Sequence, residues 1–147
     1  CDVPMVLINT QGACHLDSES ILNALNTMPL DTLDVIFVEN VGNMVCPAEF
    51  DIGEDAKIAL ISAPEGDDKP LKYPLLFREA EVIVLNKIDL LPHIPFDKEV
   101  FYGDIRQLNG SIPLLEMAAA HDIGVEALVL WLENKISLRA GASLLTS

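Results

Sequence analysis

Short apolar runs that empty into polar, glycine-bearing loops recur along the chain, and their length is that of buried β-strands. Val3 to Thr10 (VPMVLINT) is the first, and it ends in Gln11-Gly12-Ala13-Cys14-His15. A second strand is expected over residues 35–39, inside the run Leu33-Asp34-Val35-Ile36-Phe37-Val38. Lys57 to Ser62 (KIALIS), Glu81 to Asn86 (EVIVLN) and Ser111 to Met117 (SIPLLEM) follow. Pro113 has no amide donor and moves the last of these toward a sheet edge.

Between the runs the period changes to that of a helix. Ile21, Leu22, Leu25 and Met28 form one stripe behind a cap at Asp17 or Ser18, and Pro29 stops it. A short helix from about Tyr73 to Ala80 tolerates Pro74 in its first turn. Asp97 caps a helix with Phe101, Ile105 and Leu108 on one face; Gly103 weakens it and Asn109-Gly110 ends it. Leu90 to Phe96, twice broken by proline, reads as a loop packed on the body. Val125, Leu128, Leu132 and Ile136 line the last helix, and residues 137–147 are expected to fray as a disordered tail. Continuously apolar strands separated by helices predict an open α/β fold, a mostly parallel sheet with helices on both faces. Ligands in such sheets bind beyond the carboxyl ends of the strands, so the loops after residues 10, 39, 62 and 86 are expected on one edge.

Composition narrows the class. With 147 residues and 50% hydrophobic content the chain is long enough for one compact domain. No apolar run approaches the roughly 18–20 residues of a membrane span, and no secretory signal pattern opens the chain, so a cytoplasmic protein is expected. Asp and Glu number 23 against 9 Lys and Arg, a formal charge of -14 that repels phosphate backbones and argues against nucleic-acid binding. Three cysteines, Cys1, Cys14 and Cys46, are too few and scattered for a disulfide framework. The chain opens on Cys1 rather than methionine, which suggests a piece of something longer.

Three clusters carry chemistry. Asn86-Lys87-Ile88-Asp89 sits at the end of the most apolar run, where a base site belongs: a fixed carboxylate offers two parallel acceptors to the adjacent donors of guanine, with the lysine stem against the ring face. The alternative is a solvated turn. Cys14, His15 and Cys46 supply two thiols and an imidazole, a donor set for a borderline or soft divalent ion such as nickel or zinc. Their alternative is that the thiols are small buried hydrophobes and His15 a helix-start residue. Glu39 suits a magnesium-water shell and Gly42 a close approach to phosphate, unless Gly42 serves only a tight turn. Glu65, Asp67, Asp68 and Lys69 read as a solvated loop, and His93 and His121 as surface residues.

Residues Gly12 to Asp17, Glu39 to Glu54, Glu65 to Pro74 and Asn86 to Pro92, in that order, closely resemble HypB, the nickel-incorporation GTPase family of [NiFe]-hydrogenase maturation. UreG is similar in outline only. The resemblance implies a P-loop NTPase-like, SIMIBI-type G domain over residues 3–136, binding GTP, magnesium and nickel or zinc. It further implies a homodimer on nucleotide binding that hands nickel to an apo-hydrogenase with a nickel chaperone and large-subunit maturation partners. By position, Asn86, Lys87 and Asp89 match the guanine motif, Glu39 to Gly42 the loop facing magnesium and the γ-phosphate, and Cys14, His15 and Cys46 the metal site. Leu90 to Ile94 would be a dimer contact.

There are departures. The phosphate loop G-x-x-x-x-G-K-[ST] occurs nowhere in the 147 residues, and neither do its flanking first strand and first helix. Negligible GTP hydrolysis is therefore expected of this chain alone. Gln11-Gly12-Ala13 departs from the family's glycine arrangement, and Ala118-Ala119 stands where the family has Ser-Ala. The alternative reading is a relative without a phosphate loop that acts as a metal-binding or docking module.

Overall fold

The computed structural model describes residues 3–143, whose contacts divide into two units, residues 1–55 and residues 56–147. In the first unit, helix α1 (Ser18–Leu25) starts where the sequence places its cap: the Asp17 carboxylate accepts the Ser20 amide at 2.7 Å and the Ser20 hydroxyl at 2.9 Å. Those bonds hold the Asp17 carboxyl below its ordinary range. The helix ends before its apolar stripe does, because Thr27 and Met28 donate to Ala24 and Leu25 at 3.0 Å in tighter turns. A 3-10 turn at Leu30–Thr32 and the short helix α2 (Cys46–Glu49), with proline in its first turn, complete the unit.

Residues 3–10 and 35–39, expected as strands, have no regular secondary structure and belong to no ladder. Leu7 is 94% exposed and Phe37 68%. An apolar run has the propensity for a strand, but becomes one only when a neighbour meets its amides and carbonyls. Among the described residues no neighbouring strand does so.

The second unit holds the sheet. Strands β1 (Ile58–Ser62), β2 (Val82–Asn86) and β3 (Leu114–Glu116) are parallel in the order β1-β2-β3, with Ser62 opposite Asn86 and Leu85 opposite Glu116. Helices α3 (Lys69–Lys72) and α4 (Pro74–Glu79) cross from β1 to β2, and α5 (Lys98–Leu108) crosses from β2 to β3. These three helices pack on one another, with Phe77 of α4 and Phe101 of α5 fully buried and edge-on at 6.3 Å. Asp97 caps α5, accepting the amides of Glu99 and Val100. Val82 to Leu85 are buried without exception, as a central strand should be. At β1 the pattern alternates: Ala59 and Ile61 are buried while Leu60 is 58% exposed.

The last helix, α6, spans Val125–Ser143. Residues 137–143, expected to fray, are helical, since extending a helix already nucleated adds one bond per residue ordered and no proline interrupts it. Residues 144–147 of that expected tail lie outside the described residues. None of the helices described is long and apolar enough to cross a membrane.

Candidate functional site

Because the strands are parallel, the loops after β1, β2 and β3 leave one edge of the sheet. The Asn86 carboxamide joins two of them: its Oδ1 accepts the Lys87 amide at 2.8 Å and the Ala119 amide at 3.2 Å. Lys87 adopts the left-handed conformation, φ 60° and ψ 39°. That costs a residue with a Cβ about 1–2 kcal/mol, and it persists where surrounding bonds over-determine it. The Ile88 amide supplies another, donating to the Met117 carbonyl at 3.2 Å. Ile88–His93 then wind as 3-10 turns, so the proline-broken segment is partly helical rather than a plain loop. They carry Asp89, whose Oδ2 lies 3.6 Å from His121 Nε2. The sequence offers no partner for His121; the fold brings one from the next loop.

That next loop depends on Gly124. Residues Ala118 and Ile123 bridge antiparallel, exchanging amide bonds of 2.9 and 3.2 Å, and Gly124 follows at φ +74°. A Cβ there would lie 2.1 Å from the Glu116 carbonyl oxygen. A glycine directly ahead of the last helix is the signal that could have pointed to this position. Glu116, also unforeseen, receives the Tyr102 hydroxyl and pairs with Lys98 at 2.5 Å. Burial pushes its carboxyl up, but the bonds from Lys98 and Tyr102 and the Lys98 charge outweigh burial and leave it below the ordinary range. Burial first, then the Glu116 carboxylate, push the Tyr102 phenol up.

The thiol cluster lies wholly in the first unit. Cys14 Sγ is 3.6 Å from His15 Nδ1. Tetrahedral ligands about 2.3 Å (sulfur) and about 2.0–2.1 Å (imidazole) from a shared ion stand about 3.6 Å apart, so this pair matches one edge of such a site. Cys46 opens α2, and its thiol is pushed up by a hydrogen bond with Cys14 above all, then by burial and by the Cys14 and Glu49 charges. A bound cation reverses that sign, because it favours the thiolate. The Cys14–His15 pair is therefore made. Three donors do not close on one point anywhere among the described residues; the His15 ring is held parallel to Phe50, centroids 3.9 Å apart. Phe50 carries no signal in the sequence that would have singled it out.

Glu39 and Gly42 lie in the loop between these features and are exposed. Gly42 has no positive φ, and nothing lies within 4 Å of where its Cβ would be. No tight turn of this chain requires a glycine there.

A family model described as CobW/HypB/UreG, nucleotide-binding domain, matches residues 1–116. Among curated relatives, the hydrogenase maturation factor HypB of Escherichia coli K12 is 44% identical over 132 residues, covering 90% of this chain and 46% of that protein. The probable HypB of Methanocaldococcus jannaschii is 35% identical, covering 90% and 60%. The chain thus spans about half the length of the curated relatives it matches. Among solved structures, HypB of Archaeoglobus fulgidus superposes with a TM-score of 0.80 at 35% identity, covering 86% of this chain and 67% of that one. HypB of Helicobacter pylori in complex with nickel gives 0.86 at 32% identity, covering 90% and 63%.

Proposed function

The chain belongs to the CobW/HypB/UreG nucleotide-binding domain family, and from that premise we propose that it is part of a HypB-like GTPase that couples GTP hydrolysis to nickel insertion into [NiFe]-hydrogenase. The observation that carries the nucleotide half is the Asn86 carboxamide, which locks the loop bearing Lys87 and Asp89 to the loop bearing Ala119 at the carboxyl end of a buried strand. Two roles follow. Asn86 sets the geometry, and Asp89 accepts the two adjacent donors of guanine while the Lys87 stem covers the ring face.

Glu39 and Gly42 serve the triphosphate end. Glu39 is an exposed carboxylate suited to the water shell of magnesium, which when bound neutralises phosphate charge, and the unobstructed Gly42 backbone lets a phosphate approach. Cys14, His15 and Cys46 take nickel, or zinc in its place, as cargo. Nucleotide binding pairs two copies of the chain, and delivery involves a nickel chaperone and the hydrogenase large subunit in the cytoplasm. Without a phosphate loop in its 147 residues, this chain alone hydrolyses negligible GTP.

Calorimetric titration with GDP and ADP tests the base site. We expect GDP to bind at least about tenfold more tightly, and Asp89→Asn to transfer that preference to the xanthine nucleotide, whose edge presents an acceptor where guanine has a donor. Equal affinity for GDP and ADP would sink the guanine reading. For the cargo site, Ni(II) titration should produce sulfur-to-nickel charge-transfer absorbance that disappears in Cys14→Ala and in Cys46→Ala.

A further inference from the structure

The two thiol-bearing segments are far apart in sequence, yet one side chain fastens both. Asn43 Nδ2 donates to the Cys14 carbonyl at 2.5 Å, while Asn43 Oδ1 accepts the Cys46 amide at 2.9 Å and the Val45 amide at 3.1 Å. The orientation of the carboxamide is set by its partners: the two amides need an acceptor and the carbonyl needs a donor, so the reversed group would lose all three bonds. Asparagine suits the position by chemistry and length. Aspartate keeps the acceptor and loses the donor, serine is too short to span the gap, and alanine loses both ends. The Asn43 amide in turn donates to the Val41 carbonyl at 2.7 Å, which ties the side chain's base to the stretch containing Gly42. Asn40 adds a parallel tie a few residues earlier, accepting the Leu16 amide at 2.9 Å.

We propose that Asn43 is the positioning residue of the thiol site, its carboxamide fastening the backbone of the Cys14 loop to the first turn of α2 and so fixing where each thiol stands relative to the other. Asn43 does not itself ligate; it acts through the backbones of both cysteines at once. The inference rests on the cargo reading only for its consequence in nickel affinity, and on hydrogen-bond geometry for the positioning itself.

The test uses the protein in a Cys1→Ser background, so that Cys14 and Cys46 are the reactive thiols. Bridging of the pair by dibromobimane reports their juxtaposition, iodoacetamide reports each thiol alone, and Ni(II) charge-transfer absorbance reports cargo binding. In Asn43→Ala and Asn43→Asp we expect bridging about tenfold slower and Ni(II) affinity about tenfold weaker, with single-thiol alkylation unchanged. Asn43→Asp retains the acceptor for Val45 and Cys46, so it decides the matter should circular dichroism show that Asn43→Ala fails to fold. Bridging at the parental rate in a folded variant overturns the proposal. Slower bridging in the variants, with no Ni(II) uptake by the parent, upholds the positioning and removes the cargo reading instead.

Discussion

Replacing Gly124 by alanine sets a methyl carbon 2.1 Å from the Glu116 carbonyl oxygen, in a residue whose φ is +74°. Alanine in that backbone region costs about 1 kcal/mol before any contact is considered. To reach an ordinary separation the carbonyl must retreat by more than about 1 Å, since carbon atoms and their neighbours pack best nearer 3.5 Å. That carbonyl belongs to the end of β3 and leads into the amides that hold the loop: Met117 to Leu85 at 2.8 Å and Ala118 to Ile123 at 2.9 Å. Weakening both, at about 1 kcal/mol each, brings the total to roughly 3 kcal/mol. Urea unfolding followed by the fluorescence of Trp131, the sole tryptophan and a residue of α6, measures it. The midpoint should fall with the slope unchanged. Gly103→Ala is the contrast, because nothing lies within 4 Å of that Cβ and α5 should gain up to about 1 kcal/mol. A loss of less than about 0.5 kcal/mol in Gly124→Ala would refute the reasoning, as would equal responses at the two glycines.

Asn86→Ala removes the acceptor shared by Lys87 and Ala119 and should cost about 1–3 kcal/mol of stability, with amide exchange at both residues accelerated together; acceleration at Lys87 alone would mean that the loops are not joined through this side chain. For Glu116, whose carboxyl stands below the ordinary range in the folded protein, the stabilisation is present above the unfolded carboxyl's value and is lost as pH falls through the folded one. With 35% of the Glu116 side chain exposed, solvent screening limits it to less than about 1 kcal/mol. Lys98→Ala should move the Glu116 titration, followed by carboxyl carbon chemical shift, upward; an unmoved titration would show that the Lys98 pairing at 2.5 Å does not set it. In Glu116→Gln the Tyr102 phenol, now without the carboxylate that resists its ionisation, should ionise at lower pH, read as tyrosinate absorbance. No such change would place the whole effect in burial.

Legibility followed locality. Asp17 and Asp97 cap helices as the sequence implies, because a cap involves only residues within one turn. Asn86, Lys87 and Asp89 stand at a strand end, since an apolar run followed by a polar tetrapeptide needs no distant information to be read. His121 and Phe50 were invisible by the same logic: their partners, Asp89 and His15, come from other loops. The metal donors fall between. Their chemistry is plain in the sequence, whereas the contact of Cys14 with His15, and the absence of a closed three-donor set among the described residues, are matters of loop geometry.

What the sequence determined by itself is the set of propensities and donors: apolar runs of strand length, helix stripes with their caps, an asparagine, lysine and aspartate after the most apolar run, and two thiols beside an imidazole. Tertiary structure decided which propensities were realised. Lys57 to Ser62 and Glu81 to Asn86 became strands because each meets a parallel neighbour, while residues 3–10 and 35–39, also apolar, joined no ladder. Tertiary structure also assigned Asn43 its three bonds to segments on either side of the thiol pair. A propensity is a property of a few adjacent residues, but a ladder or a bridging carboxamide needs donors and acceptors supplied by chain that is distant in sequence, and only the fold brings those within hydrogen-bonding reach.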